Sequence, residues 1–261
     1  MATKKDNLNC FLRDGRTLIV PIDHGTAIPV PGLESPADLI TALSPFADGF
    51  VVNYKVASNC AGALSGKGIC LRTDVYKPQA DGQPDHGSFR VFDASAAAAV
   101  GANAMMNMAY LHHPNERAIL EDCCSLVAGA QTEGIPLIIE ALPYGLGRPD
   151  DYTVENIGFA VRQAGEVGAD IVKTAFPTGA TADDFKAIVD ASLVPVIILG
   201  GAAMGDDKAL LTMVADAIGA GAIGVAIGRN VWQHENPAGI AKAMSAVIHD
   251  GASAADALEL V

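Results

Sequence analysis

Positive charge is scarce in this chain. Among 261 residues, 17 Lys and Arg face 30 Asp and Glu, a formal net charge of −13 at pH 7. A field of that sign repels phosphodiester backbones and anionic lipid surfaces, so neither nucleic acid nor membrane is expected as a partner. Long apolar runs are also missing, with none near the roughly 18 residues that a spanning helix needs. The first twelve residues carry Lys4 and Lys5 with no apolar stretch after them, unlike a signal peptide. The five cysteines, Cys10, Cys60, Cys70, Cys123 and Cys124, are an odd set without a C-x-x-C pair. That pattern argues against a disulfide framework or a thiolate metal site, and for a reduced, cytoplasmic protein. What is present is apolar: half of the residues are hydrophobic, enough to bury one large core or two small ones, which excludes disorder. An acidic chain still admits an anionic metabolite where backbone N–H groups or a placed Lys or Arg receive it.

Eight short β-branched or apolar runs, at 17–22, 49–54, 69–72, 104–109, 136–139, 170–174, 195–199 and 223–227, predict eight strands. Their mean spacing of about 29 residues matches one strand–helix–strand unit. Helix signals fill the gaps. Ser35-Pro36 supplies a cap and first-turn proline before 37–47, Asn115 opens 116–133, and Thr181-Ala-Asp-Asp opens 185–191. The second, fourth, sixth and eighth strands follow small-residue turns such as Gly168-Ala169-Asp170, whereas the fifth and seventh follow Ile135-Pro136 and Val194-Pro195. A two-step alternation over eight parallel strands predicts a single-domain α/β fold over residues 1–261, a (β/α)8 TIM barrel, because odd and even strands feed different interior layers. The competing open, doubly wound sheet lacks support, since no strand is followed at once by G-x-G-x-x-G. The one long irregular stretch, 75–92, would lie over the strand C-terminal face as a lid, an exposed loop or a subunit contact.

Those C-terminal ends carry polar residues that a pure core would reject. Strand one ends in Asp23-His24-Gly25, strand two in Asn53-Tyr54-Lys55 and strand three in Arg72-Thr73-Asp74. Asn107 and later His112-His113 follow on strand four, Glu140 and Tyr144 on strand five, and Lys173-Thr174 on strand six. Strands seven and eight end in Gly200-Gly201 and Gly228-Arg229-Asn230. Glycine lets backbone N–H groups approach an anion, and loops at these two places commonly bind phosphate at a short helix N-terminus, here 230–233. Arg229 would add a charge-assisted contact. Lys173 ends an otherwise apolar strand, where burial favours the neutral amine that attacks carbonyls; the alternative is a structural lysine paired with Glu140 or Asp23.

With Asp23-His24-Gly25, Asp170-Ile-Val-Lys173-Thr174, Gly200-Gly201 and Gly224-Val-Ala-Ile-Gly228-Arg229-Asn230 in order on their strands, the chain resembles the class I, Schiff-base aldolase superfamily. That superfamily includes archaeal-type fructose-bisphosphate aldolases, aminodideoxyheptulosonate synthases, autoinducer-2 phosphate thiolases and tagatose-1,6-bisphosphate aldolases. The likeness runs from about residue 17 to about residue 258, and G-A-D-I-V-K-T is its most specific motif. It implies that Lys173 attacks the ketone of a phosphorylated sugar and that the iminium serves as electron sink. Asp23 would be the strand-one carboxylate with Lys55 near it, and Gly200, Gly201, Gly228 and Arg229 would hold the phosphate. It also implies a homo-oligomer, in which 252–261 is a candidate contact. One departure stands out. Where archaeal relatives carry a proton-transferring tyrosine before proline on strand five, this chain has Leu142-Pro143. Tagatose-bisphosphate relatives use a glutamate on this strand, which makes Glu140 the preferred acid/base and Tyr144 the second candidate.

The expected activity is carbon–carbon cleavage or formation on a phosphorylated ketose, releasing dihydroxyacetone phosphate, with no cofactor or metal. His24, Arg72 and Asn107 are candidate substrate-binding residues, and Arg72, Arg90 and Arg148 are candidates for a second anion. The rival readings are thiolase- or transaldolase-type transfer by the same lysine, a phosphosugar isomerase, a non-catalytic sugar-phosphate sensor, and a metal-dependent aldolase using His24, His112 and His113. The three histidines offer no compact ligand set.

Overall fold

Every second residue of each predicted strand points the same way, and the barrel is built on that parity. The computed structural model describes residues 2–27, 31–76, 87–143 and 151–261. Its barrel strands are β1 (Thr17–Pro21), β2 (Gly49–Val52) and β3 (Gly68–Arg72), followed after a hairpin of β4 (Asp74–Tyr76) and β5 (Ser88–Arg90) by β6 (Ala104–Leu111), β7 (Leu137–Pro143), β8 (Ile171–Thr174), β9 (Val196–Leu199) and β10 (Gly224–Ala226). The eight close in the order β1-β10-β9-β8-β7-β6-β3-β2, all neighbours parallel, so the open sheet is excluded. Inside, Ile19, Val51, Cys70, Met106, Ile138, Ile171, Ile197 and Ala226 form one apolar cluster. Their neighbours, among them Leu18, Phe50, Leu71, Met105, Ile139, Val172, Ile198 and Val225, pack outward in a second cluster.

The helices are α1 (Lys4–Asn9), α2 (Pro36–Leu43), α3 (Tyr54–Asn59), α4 (Ala94–Ala99), α5 (Glu116–Glu133), α6 (Val154–Val167), α7 (Ala182–Ala191), α8 (Asp207–Gly219), α9 (Arg229–Trp232), α10 (Pro237–Ser245) and α11 (Ala254–Leu258). Thr181 opens α7 through a reciprocal capping box with Asp184, one turn earlier than the apolar pattern alone implies. Phe11, just beyond α1, plugs the bottom of the barrel. Its ring occupies the space that a β-carbon on Gly49 would need, 2.5 Å from Phe11 Cδ1, and a β-carbon on Gly68 would meet the same ring. Lys4 pairs with Asp170 at 2.9 Å, and the same carboxylate accepts from the Leu137 N–H, fastening α1 under β7 and β8. At the seam between first and last strands, a β-carbon on Gly224 would run into the Thr17 carbonyl oxygen.

Two expectations are corrected. The second strand stops at Val52 rather than residue 54, because the chain turns into a helix that starts at Tyr54. The two ends of 75–92 are not wholly irregular: Asp74–Tyr76 pairs antiparallel with Ser88–Arg90, while 77–86 lies outside the described residues. In the C-terminal segment α11 packs on α8 and buries Ala257, while most of its other residues stay exposed.

Candidate active site

Parity places Asp23, Arg72, Glu140 and Lys173 at the mouth, one layer above the apolar plug, and all four line a single pocket. Glu140 and Lys173 are register partners on β7 and β8. Lys173 Nζ lies 2.7 Å from Glu140 Oε1, and Arg72 Nη1 lies 2.7 Å from Glu140 Oε2. Arg72 Nε is 2.5 Å from Asp74 Oδ1, and Nη1 is 3.6 Å from Asp23 Oδ2. The lysine and glutamate are only 5% and 6% exposed, so these charges meet with little water between them. Of the two partners open to Lys173 in the sequence, the structure selects Glu140.

Burial alone would raise the Glu140 carboxyl. Lys173 and Arg72 outweigh it and hold the group at about 2, an ionised carboxylate. Arg72 is the reverse: burial opposes its charge, yet Asp74, Glu140 and Asp23 raise its proton affinity further. Burial pushes Asp74 up, with Arg72 and the Met108 N–H only partly offsetting it. His24, edge-on to Trp232 at a centroid distance of 5.3 Å, is pushed toward the neutral imidazole by burial, against the opposing charge of Asp23. Trp232 is itself fixed by donating from Nε1 to the Pro21 carbonyl at 3.0 Å.

Gly200, Gly201, Gly228 and Arg229 line the other side of the same pocket, with Gly228 immediately before α9. The glycines do different things. A β-carbon on Gly228 would sit 2.6 Å from the Pro21 carbonyl oxygen and one on Gly200 2.7 Å from Ile227 Cγ2, so both are required by packing. Gly201 has φ +63 and open space around its absent side chain, which suits close approach of a ligand. Asn230 shapes this loop, its Nδ2 donating to the carbonyls of Gly200 and Ala202 at 2.9 and 3.0 Å and its Oδ1 accepting from the Met204 N–H at 2.7 Å. Arg229 Nε is buried and has no hydrogen-bond partner among the described residues, and burial lowers the guanidinium's proton affinity. A buried cationic donor without a partner suits an incoming anion.

Other expected site residues lie elsewhere. Lys55 is exposed on α3, carried away from the pocket because the chain turns into a helix at Tyr54. Asn107 has the outward parity of β6. It is 1% exposed, its Oδ1 accepting from the Thr73 hydroxyl at 2.9 Å and its Nδ2 donating to the Met108 carbonyl at 3.0 Å, so it joins strands rather than meeting a ligand. Arg90 pairs with Asp122 at 3.2 Å, outside the pocket. Tyr144 and Arg148 lie outside the described residues. His113 accepts from the Asn115 N–H at 2.9 Å and packs against Gly87, and among the described residues no three His, Cys, Asp or Glu side chains are arranged to hold a metal ion.

The mouth also holds residues to which the sequence assigned no role. Asp74 and Tyr76 line the pocket from the hairpin. Tyr110, the inward register neighbour of Leu142, packs against Tyr76 with centroids 5.6 Å apart. Its hydroxyl is buried without a partner among the described residues, and burial raises its proton affinity well above the usual range.

An eight-stranded parallel barrel whose mouth joins a buried lysine–carboxylate pair to a glycine loop, beside a guanidinium nitrogen unpartnered among the described residues, is the architecture of an enzyme. Residues 17–234 match the model of the DeoC/LacD family aldolases, and the chain belongs to that family, which makes it a carbon–carbon lyase. It is 34% identical over 260 residues to a 2-amino-3,7-dideoxy-D-threo-hept-6-ulosonate synthase of Halobacterium salinarum, covering 98% of this chain and 96% of that protein. To a class 1 fructose-bisphosphate aldolase of the same species it is 30% identical over 263 residues, covering 94% and 95%. The solved structure of a Schiff base forming fructose-1,6-bisphosphate aldolase superposes with a TM-score of 0.83 at 25% identity, covering 94% of this chain and 99% of that one. Among the described residues no helix is long and apolar enough to cross a membrane.

Proposed function

We propose that the chain cleaves or forms a carbon–carbon bond of a phosphorylated ketose through a Schiff base on Lys173, releasing dihydroxyacetone phosphate in the cleavage direction. The Lys173–Glu140 contact carries this reading. A lysine attacks a ketone only as the free amine, and a carboxylate 2.7 Å away is placed to take the ammonium proton as the substrate arrives. Lys173 Nζ then bonds to the carbonyl carbon, giving a carbinolamine, and Glu140 returns the proton as the hydroxyl leaves as water. In the iminium so formed the substrate's Cα–Cβ bond breaks, its electrons forming the enamine double bond as the C=N pair moves onto nitrogen. The aldehyde fragment departs as its hydroxyl proton passes to a base at the mouth, for which Asp23 and Glu140 are both placed. Protonation of the enamine carbon and hydrolysis release the ketone and restore the amine. The phosphate is received at Gly201 and Arg229, with His24 lining the same lobe.

The 34% identity to a protein named as a synthase supports a second reading, transfer by the same lysine onto a different acceptor. Borohydride reduction in the presence of phosphorylated ketoses, read by intact mass, tests the shared step. Adduct mass on the wild type and none on Lys173→Met is the expected result. An adduct that persists on the variant and maps to Lys55 overturns the assignment.

A further inference from the structure

We propose that Arg72 and Asp74 form a positioning pair that fixes which oxygen of Glu140 addresses Lys173, an inference that rests on the roles given above to those two residues. Asp74 stands in the pocket wall but its side chain has no exposed surface, buried against Arg72. It is held from two directions, by the Met108 N–H of β6 at 3.2 Å and by Ser88 of β5. That fixed carboxylate grips Arg72 at Nε. The guanidinium is planar, so anchoring one edge dictates where the other points. Here Nη1 is delivered to Glu140 Oε2 at 2.7 Å, and only Oε1 remains for Lys173. Released from Asp74, the same Nη1 has a competing carboxylate in Asp23, 3.6 Å away.

The pair also sets the local charge. With it, the ion-paired cluster around Glu140 holds three carboxylates and two cations, with Arg229 a further cation across the pocket. Removing Arg72 takes a cation from direct contact with Glu140, whereas removing Asp74 takes an anion whose ion-pair partner is Arg72 and which does not contact Glu140, so the net effect of deleting both is that Glu140 binds a proton at higher pH. Other titratable groups act on Glu140 from His24 after β1, Tyr110 on β6, Tyr152 ahead of α6 and Arg229 on α9. Cys70 lies beneath on β3. None of these is altered by the substitutions tested below.

The test compares wild type, Arg72→Lys and the double variant Arg72→Gln/Asp74→Asn, which replaces the ion pair by a neutral couple able to keep a hydrogen bond. Two readouts are taken: the rate of borohydride trapping with dihydroxyacetone phosphate against pH, and the 13Cδ shift of Glu140 through a pH titration, assigned by its loss in Glu140→Gln. In the double variant the acid limb of trapping and the Glu140 titration should both move up by about one pH unit or more, an approximately tenfold loss of trapping rate on that limb. Arg72→Lys should return the limb toward its original position while trapping stays slower, because a point charge cannot bridge both carboxylates. A folded double variant whose acid limb and Glu140 titration coincide with the wild type overturns the proposal and leaves the pair purely structural. A wild type that forms no adduct refutes the Schiff-base reading instead, and the carbon titration then decides the positioning pair alone.

Discussion

Replacing Glu140 by glutamine is the sharpest test of the site, because the geometry states what the amide can and cannot keep. Glu140 meets a donor at each oxygen, Lys173 Nζ and Arg72 Nη1, both at 2.7 Å. Glutamine offers one accepting oxygen and one donating NH2, and both partners are donors only, so one contact turns donor against donor. Arg72 is anchored by Asp74, and the amide oxygen should follow it, leaving Lys173 facing the NH2 group. Removing one member of a buried ion pair costs about 3–5 kcal/mol. The retained Arg72 contact should hold the loss to about 2–3 kcal/mol, or a fall in Tm of about 5–10 °C for a chain of this size. Loss of the positioned carboxyl should lower kcat by about 10²–10⁴-fold. Calorimetry, steady-state cleavage and borohydride trapping on one preparation separate the two effects. The expected pattern is a modest loss of stability, a large loss of kcat and an adduct that still forms but more slowly. A variant with the predicted drop in Tm and a kcat within a few-fold of the wild type would falsify the acid/base role and leave Glu140 as the lysine's counter-ion.

Two further substitutions follow from the same geometry. Gly201→Val places a side chain in open pocket space at φ +63, so it should cost about 1–2 kcal/mol in stability. Its KM for a phosphorylated substrate should rise about tenfold more than for the unphosphorylated analogue, equivalent to about 1.4 kcal/mol of lost anion contact. Equal rises would show that the loop does not read phosphate. Tyr110→Phe removes a buried hydroxyl with no partner among the described residues and should raise stability by about 1 kcal/mol in chemical denaturation with kcat unchanged. A fall in kcat would instead bring the phenol into the proton path beside Leu142.

What could be read from the sequence followed from parity and polarity. Lys173, Glu140 and Asp23 stand out as charged residues ending apolar strands, and each lines the pocket. Parity also explains the errors. Asn107 is a polar residue near the end of β6, but it is odd in a strand whose even members Met106 and Met108 face inward. Lys55 follows a strand that gives way to a helix two residues earlier than its apolar run suggests. Asp74 and Tyr76 sit in a stretch with no clear period, and their place is set by pairing with β5, a contact absent from either segment alone. The division of labour among the glycines was illegible for a similar reason. Gly228 is dictated by the carbonyl of Pro21, more than two hundred residues earlier in the chain.

The seam between β1 and β10 bears on how the enzyme comes into being. Thr17 must wait for Gly224, and at about 5–20 residues per second of synthesis that interval is about 10–40 s. Through it, the nascent chain carries a strand with one unsatisfied edge, a template for the wrong partner in a crowded ribosomal environment. Lys173 and Glu140 are already synthesised by then, but in an unclosed sheet their charges stand in water, which weakens their hold on each other. The mouth therefore cannot be complete until β10 docks and carries Gly228 and Arg229 in behind it. The bare α-carbon of Gly224 lets β10 dock against the Thr17 carbonyl, so a side chain there acts on the yield of closed molecules before it acts on turnover.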